Sequence, residues 1–163
     1  MIKSTSATVS IPSMLRENAA LISMYLLGVL LMSFLGWPVA LLYLAYCLAS
    51  NLLYMAWTCP YCPHYAAASC PAGYHLLSGR RFRPQPGKTF RNQFQRSVIM
   101  LSPGWFVPPV VGGYVLITDF SWLAVTLLLV FCIAGFLILP VDSRRHCEGC
   151  VNQDCPRWKA SRR

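Results

Sequence analysis

Acidic residues are scarce in this 163-residue chain, five Asp and Glu against fourteen Lys and Arg, for a net charge of +9. From Asn18 to Gly79 there is no Asp, Glu, Lys or Arg at all, and from Ser97 to Val141 the single exception is Asp119. Charged residues make up 12% of the chain, about half the roughly 25% of soluble domains. So little polar surface excludes a soluble domain with buried helices. None of the five acids falls inside an expected span, Asp119 lying at a turn between two of them. A proton or cation carrier needs an ionisable group within the membrane, so ion transport by this chain alone is excluded too. Phosphate-binding glycine loops, nucleophile–base signatures and carboxylate pairs are missing. A c-type haem site requires C-x-x-C-H, and Pro63 stands where that His would be.

What the chain has instead is long apolar runs, at 56% hydrophobic residues. A span of the hydrocarbon takes about 20 residues, and each of the two uncharged runs is long enough for two. The expected fold is an all-α integral membrane protein of four transmembrane helices arranged as two hairpins. The spans lie at about 18–35, 38–57, 102–118 and 120–139. Gly36-Trp37-Pro38 breaks the first hairpin, Asp119 marks the turn of the second, and Pro140 stops the last helix. Ser10 or Ser13 is placed to cap the first helix, with Pro12 in its first turn. A signal peptide is rejected, because a second apolar run follows at once without a small-residue cleavage site.

The resulting organisation is a segment 1–17, a first hairpin 18–57, a cysteine loop and basic connector 58–87, an interfacial helix 88–101, a second hairpin 102–140 and a basic tail 141–163. The interfacial helix is read from Phe90, Phe94, Val98 and Leu101 at helical spacing, with Arg91, Gln95 and Arg96 off that stripe. The third span carries Pro103, Pro108, Pro109, Gly112 and Gly113. It should therefore be kinked and packed inside the bundle, where neighbours can satisfy its loosened backbone. Tyr43, Tyr46 and Tyr54 lie on the second span, and their hydroxyls need partners on other helices or at the interface.

Positive charge collects in Arg80, Arg81, Arg83, Lys88, Arg91 and Arg96, and again in the tail at Arg144, Arg145, Arg157, Lys159, Arg162 and Arg163. Both blocks abut membrane spans. That pattern reads as positive-inside topology, with both termini cytoplasmic in an inner or plasma membrane, rather than as a nucleic-acid surface. The bilayer is the first partner implied. A soluble or membrane redox protein docking on the basic face is the second.

The chemistry sits in two groups that follow the hairpins. The first is Cys59-Pro60-Tyr61-Cys62-Pro63-His64 with Cys70-Pro71, and the second is His146-Cys147 with Cys150 and Cys155-Pro156. Each offers C-x2-C, a third Cys and a nearby His. Two thiolates at that spacing can reach one metal ion, and the repetition points to a metal site formed by Cys59, Cys62, His64, Cys70, His146, Cys147, Cys150 and Cys155. Cys47 and Cys132 fall within spans and read as packing residues. His75 reads as a loop side chain.

Zinc would suit two sites of three thiolates and one imidazole. An iron–sulfur cluster would suit the thiolates followed by proline at Cys59, Cys62, Cys70 and Cys155. Over a few residues per site these segments resemble the Cys-Pro cytoplasmic segments of polyferredoxin-like membrane proteins, which pass electrons to or from quinones. In helix count and paired cysteines the chain also resembles the vitamin K epoxide reductase type of thiol oxidoreductase, although its C-x2-C pairs lie outside the spans. Three functions are thus in view. An Fe–S electron-transfer subunit comes first, a zinc-stapled adaptor or assembly subunit second and a membrane thiol-disulfide oxidoreductase third.

Overall fold

A computed structural model describes residues 11–62, 74, 82–83 and 87–141. They form four long helices: α1 Ile11–Ser33, α2 Trp37–Thr58, α3 Phe90–Thr118 and α4 Trp122–Val141. A short 3-10 turn, Cys59–Tyr61, extends α2. No strand occurs among the described residues. The bends between α1 and α2 and between α3 and α4 are three residues each, so both pairs fold back as hairpins. Gly36 makes the first bend with φ +118°, a backbone setting that side chains disfavour. Pro38 then pre-sets the first turn of α2.

The side-chain contacts fix the arrangement. α1 packs on α2 and α4, α3 packs on α2 and α4, and α1 also touches α3 across the middle. Gly28 lies against Tyr43, Asn51 reaches Tyr25, Thr58 reaches Ser97, and Gly112 lies against Leu128. Rising residue numbers on one helix meet falling numbers on the next, so the bundle runs up-down-up-down. The start of α1, the end of α2, the start of α3 and the end of α4 therefore share one end, the cysteine end. The two tight turns share the other.

Three helical segments are long and apolar enough to cross a membrane: Trp37–Tyr61, Phe90–Thr118 and Trp122–Val141. The apolar part of α1, Asn18–Ser33, is shorter. Large apolar side chains such as Leu42, Val110, Ile117 and Leu137 are exposed along the outside of the bundle, the pattern expected where the surroundings are lipid. At the turn end Trp37, Phe120 and Trp122 are exposed, and Phe120 meets Trp122 edge-on at 5.3 Å. Such rings suit the headgroup level. At the cysteine end Arg83, Lys88, Arg91 and Arg96 are exposed.

Two expectations change. The interfacial helix 88–101 and the third span are one uninterrupted helix of 29 residues. At 1.5 Å per residue it is about 43 Å long, so its basic first turns extend beyond a hydrocarbon core of about 30 Å. The stripe Phe90, Phe94, Val98 and Leu101 is not its packed face. Phe90 and Phe94 stack on each other at 5.6 Å and stay half-exposed. The buried positions are Gln93, Ser97, Gly104, Pro108, Gly112 and Val115. Small residues let helix backbones approach in lipid, where apolarity alone gives helices no reason to associate. The fourth helix also departs from expectation, because it continues past Pro140 to Val141. Residues Ile133–Ile138 form a π-helical stretch, with the Leu139 N–H donating to the Ala134 carbonyl. A proline clashes with the carbonyl four residues before it in an α-helix, and the wider π turn makes room.

At two of the three prolines of α3 the freed carbonyl finds another donor. Pro103 leaves the Ile99 carbonyl without its helical N–H donor, and the Ser102 hydroxyl donates to it at 2.7 Å. Pro108 does the same to the Gly104 carbonyl, and the Tyr43 hydroxyl of α2 donates to it at 2.9 Å. Tyr46 donates to the Met100 carbonyl one turn away. Tyr43 and Tyr46 of the second span thus find their partners on α3, and the Tyr54 ring meets Tyr74. The core around them comprises Met32, Ala40, Tyr43 and Cys47. A second cluster, Met24, Leu31 and Phe131, joins α1 to α4.

Candidate metal centre

Two of the eight sequence-derived ligands, Cys59 and Cys62, lie within the described residues. They sit where α2 ends. Pro60 occupies the first turn of the 3-10 segment, and the Cys62 N–H donates to the Cys59 carbonyl at 3.0 Å. Cys62 itself is extended (φ −80°, ψ 139°), which stops the helix there. Side chains three residues apart in a 3-10 turn lie above one another, so the spacing of the two cysteines places their thiols on one side. Both are half-buried.

The turn is seated on a polar layer rather than on loose chain. Pro60 is buried. Thr58, at 2% exposure, shares a 2.8 Å hydrogen bond between hydroxyls with Ser97 of α3, which is 1% exposed. Two turns lower the Ser50 hydroxyl donates to the Cys47 carbonyl at 3.0 Å. Gln93 is buried one turn above Ser97 on the same face of α3. A further residue of the cysteine loop, Tyr74, comes back to the bundle. Its ring meets Tyr54 of α2 edge-on at 6.3 Å, and its hydroxyl donates to the side-chain Oδ1 of Asn18 on α1 at 3.5 Å. Thr58, Ser97, Gln93 and Tyr74 were not among the residues drawn from the sequence. The available signal was a polar residue on each helix within a turn or two of the C-x2-C pair.

His64, Cys70, His146, Cys147, Cys150 and Cys155 lie outside the described residues, as does His75. Among the described residues no group of three or more His, Cys, Asp or Glu comes together. Cys47 is 1% exposed and packed in the bundle, with its sulfur 3.7 Å from where a Cβ on Gly104 would stand. That is the packing role expected of it. Cys132 is half-buried on α4, well along the helix from the cysteine end.

Two thiols on one constrained turn would supply two of the four ligands of an ion or cluster that takes thiolates. α4 ends at the same end of the molecule as the Cys59–Cys62 turn, so the segment 142–163 departs from that end as well.

Compared with protein families, with curated proteins and with solved structures, the chain matches none of them.

Proposed function

We propose that this chain is a small four-span membrane subunit whose cysteine end holds an iron–sulfur cluster and passes electrons between a soluble partner and a membrane carrier or partner subunit. The observation that carries the reading is the placement of the Cys59–Cys62 turn at the end of the bundle from which the second cysteine group departs. Cys59 and Cys62 hold the centre from the first loop, joined by ligands drawn from Cys70, Cys147, Cys150, Cys155, His64 and His146. When bound, the cluster supplies a one-electron carrier at the membrane surface. The chain's own part is to fix the ligands through Pro60 and the Thr58–Ser97 hydrogen bond. The exposed Lys88, Arg91 and Arg96 present positive charge to an acidic partner or to anionic lipid.

The metal content and visible spectrum of the purified protein test this. A brown protein with iron and acid-labile sulfide is the expected result. A colourless protein with stoichiometric zinc would replace it with the adaptor reading. Absence of both metals, with reactive thiols, would leave thiol exchange.

The basic cysteine end belongs on the cytoplasmic side under the positive-inside rule. Reporter fusions after Arg163 check it. Activity of a cytoplasmic reporter is expected there. Activity of a periplasmic reporter at the same point would reverse the topology and place the thiols where disulfides persist.

A further inference from the structure

Four polar side chains are buried among the described residues: Ser50, Thr58, Gln93 and Ser97. Three have partners. Ser50 donates to the Cys47 carbonyl, and Thr58 and Ser97 bond to each other. Gln93 is 5% exposed, yet among the described residues its side-chain amide has no hydrogen-bond partner. Buried amides are ordinarily satisfied, so an orphan asks for an explanation.

Its position gives one. Gln93 lies one turn from Ser97 on the packed face of α3. Ser97 touches Thr58, and α2 runs antiparallel to α3. Four residues of α-helix rise about 6 Å. The three residues of the 3-10 turn beyond Thr58 rise by about the same amount. Gln93 therefore stands at about the level of the Cys59–Cys62 turn, on the same face of α3 as Ser97. A neutral amide offers two N–H donors to an anionic sulfur without adding a buried charge.

We infer that Gln93 is a positioning residue of the metal centre, its amide turning to donate to a sulfur of Cys59 or Cys62 when that sulfur ligates the metal. The inference rests on the reading of those cysteines as metal ligands. Hydrogen bonds to ligating sulfurs orient them and set their donor strength, and loss of such outer partners typically costs 10–100-fold in metal affinity.

The test is titration of the full-length, metal-free protein in detergent micelles with Co(II), followed by competition with Zn(II). Wild type, Cys59→Ser, Gln93→Met and Gln93→Glu are compared. Methionine matches glutamine in length and carries no donor. Glutamate matches its shape and brings a negative charge toward the thiolates. Cys59→Ser is expected to abolish tight binding. Gln93→Met should weaken binding 10–100-fold and shift the sulfur-to-cobalt charge-transfer band, and Gln93→Glu should bind more weakly still. The metal-free Gln93→Met protein should melt at the same temperature as wild type or higher, because it no longer buries an unpaired amide. Wild-type affinity and an unshifted band in Gln93→Met, with Cys59→Ser defective, would refute the role of Gln93 and leave the metal reading intact. Wild-type binding by Cys59→Ser would overturn the metal reading, and this inference with it. A lowered melting temperature of metal-free Gln93→Met would assign the residue to packing instead.

Discussion

Replacing Gly28 by alanine is expected to destabilise the bundle by about 2–4 kcal/mol, from the combined cost of overpacking and a lost interhelical hydrogen bond. A Cβ at this position would stand 2.6 Å and 2.7 Å from the Cε1 and Cζ atoms of Tyr43. The ring cannot yield cheaply. It is buried between Met32, Ala40 and Cys47, and its hydroxyl supplies the Gly104 carbonyl with the donor that Pro108 removes. Moving Tyr43 therefore strands a backbone carbonyl where water is excluded. Tyr43→Phe removes the hydrogen bond alone and should cost about 1 kcal/mol, in the range of interhelical bonds in membrane bundles. Unfolding in mixed micelles with increasing SDS separates the two. If Gly28→Ala costs no more than Tyr43→Phe, close approach of α1 and α2 at Gly28 is not what holds Tyr43.

Cys150→Ala carries the other large expected effect. It should release the metal and also expose the loop after Cys59 to protease. The reasoning is geometric. Val141 and Cys62 lie at the same end of the bundle, and Cys147 comes six positions after Val141. Extended chain covers about 20 Å over that length, and packed helices lie about 8–10 Å apart. The second group can thus reach the first. Three thiolates leave a tetrahedral ion one ligand short, so sharing between the groups completes either centre. Structural zinc supplies roughly 10–16 kcal/mol in small peptides at neutral pH, ample to order both segments. Metal content and limited proteolysis measured on the same variant decide the matter. Loss of metal with an unchanged cleavage pattern between 62 and 79 would mean two independent centres instead of one cap.

Much of the architecture is legible in the residues, and the parts that are not share a cause. The hairpin bends could be placed because Gly36 and Pro38 break one helical run and Asp119 the other, and helix length follows from run length. The packed face of α3 could not be read the same way. Phe90, Phe94, Val98 and Leu101 form the obvious apolar stripe, and in water such a stripe marks the buried side. In lipid both sides of a helix can be apolar, so hydrophobic periodicity stops discriminating and size takes over. The spacing of Ser97, Gly104, Pro108 and Gly112 was the usable signal. Pro140 misleads for a related reason. A proline reads as a stop, whereas the π turn at Ile133–Ile138 lets α4 carry it.

The candidate site divides along the same line. Residue types and spacing alone pick out the C-x2-C pairs, their accompanying histidines and the basic blocks, because ligand chemistry and charge are properties of single side chains. Sequence order also makes each cysteine group follow a hairpin. Only the packed bundle brings Thr58 against Ser97, returns Tyr74 to α1 and α2, and buries Gln93 on the α3 face that carries Ser97. Those pairings join residues 39 and 56 apart in the chain. They depend on which face of each helix turns inward and on the register of antiparallel neighbours. Neither is encoded locally, since both arise from how small residues and tyrosines fit between helices.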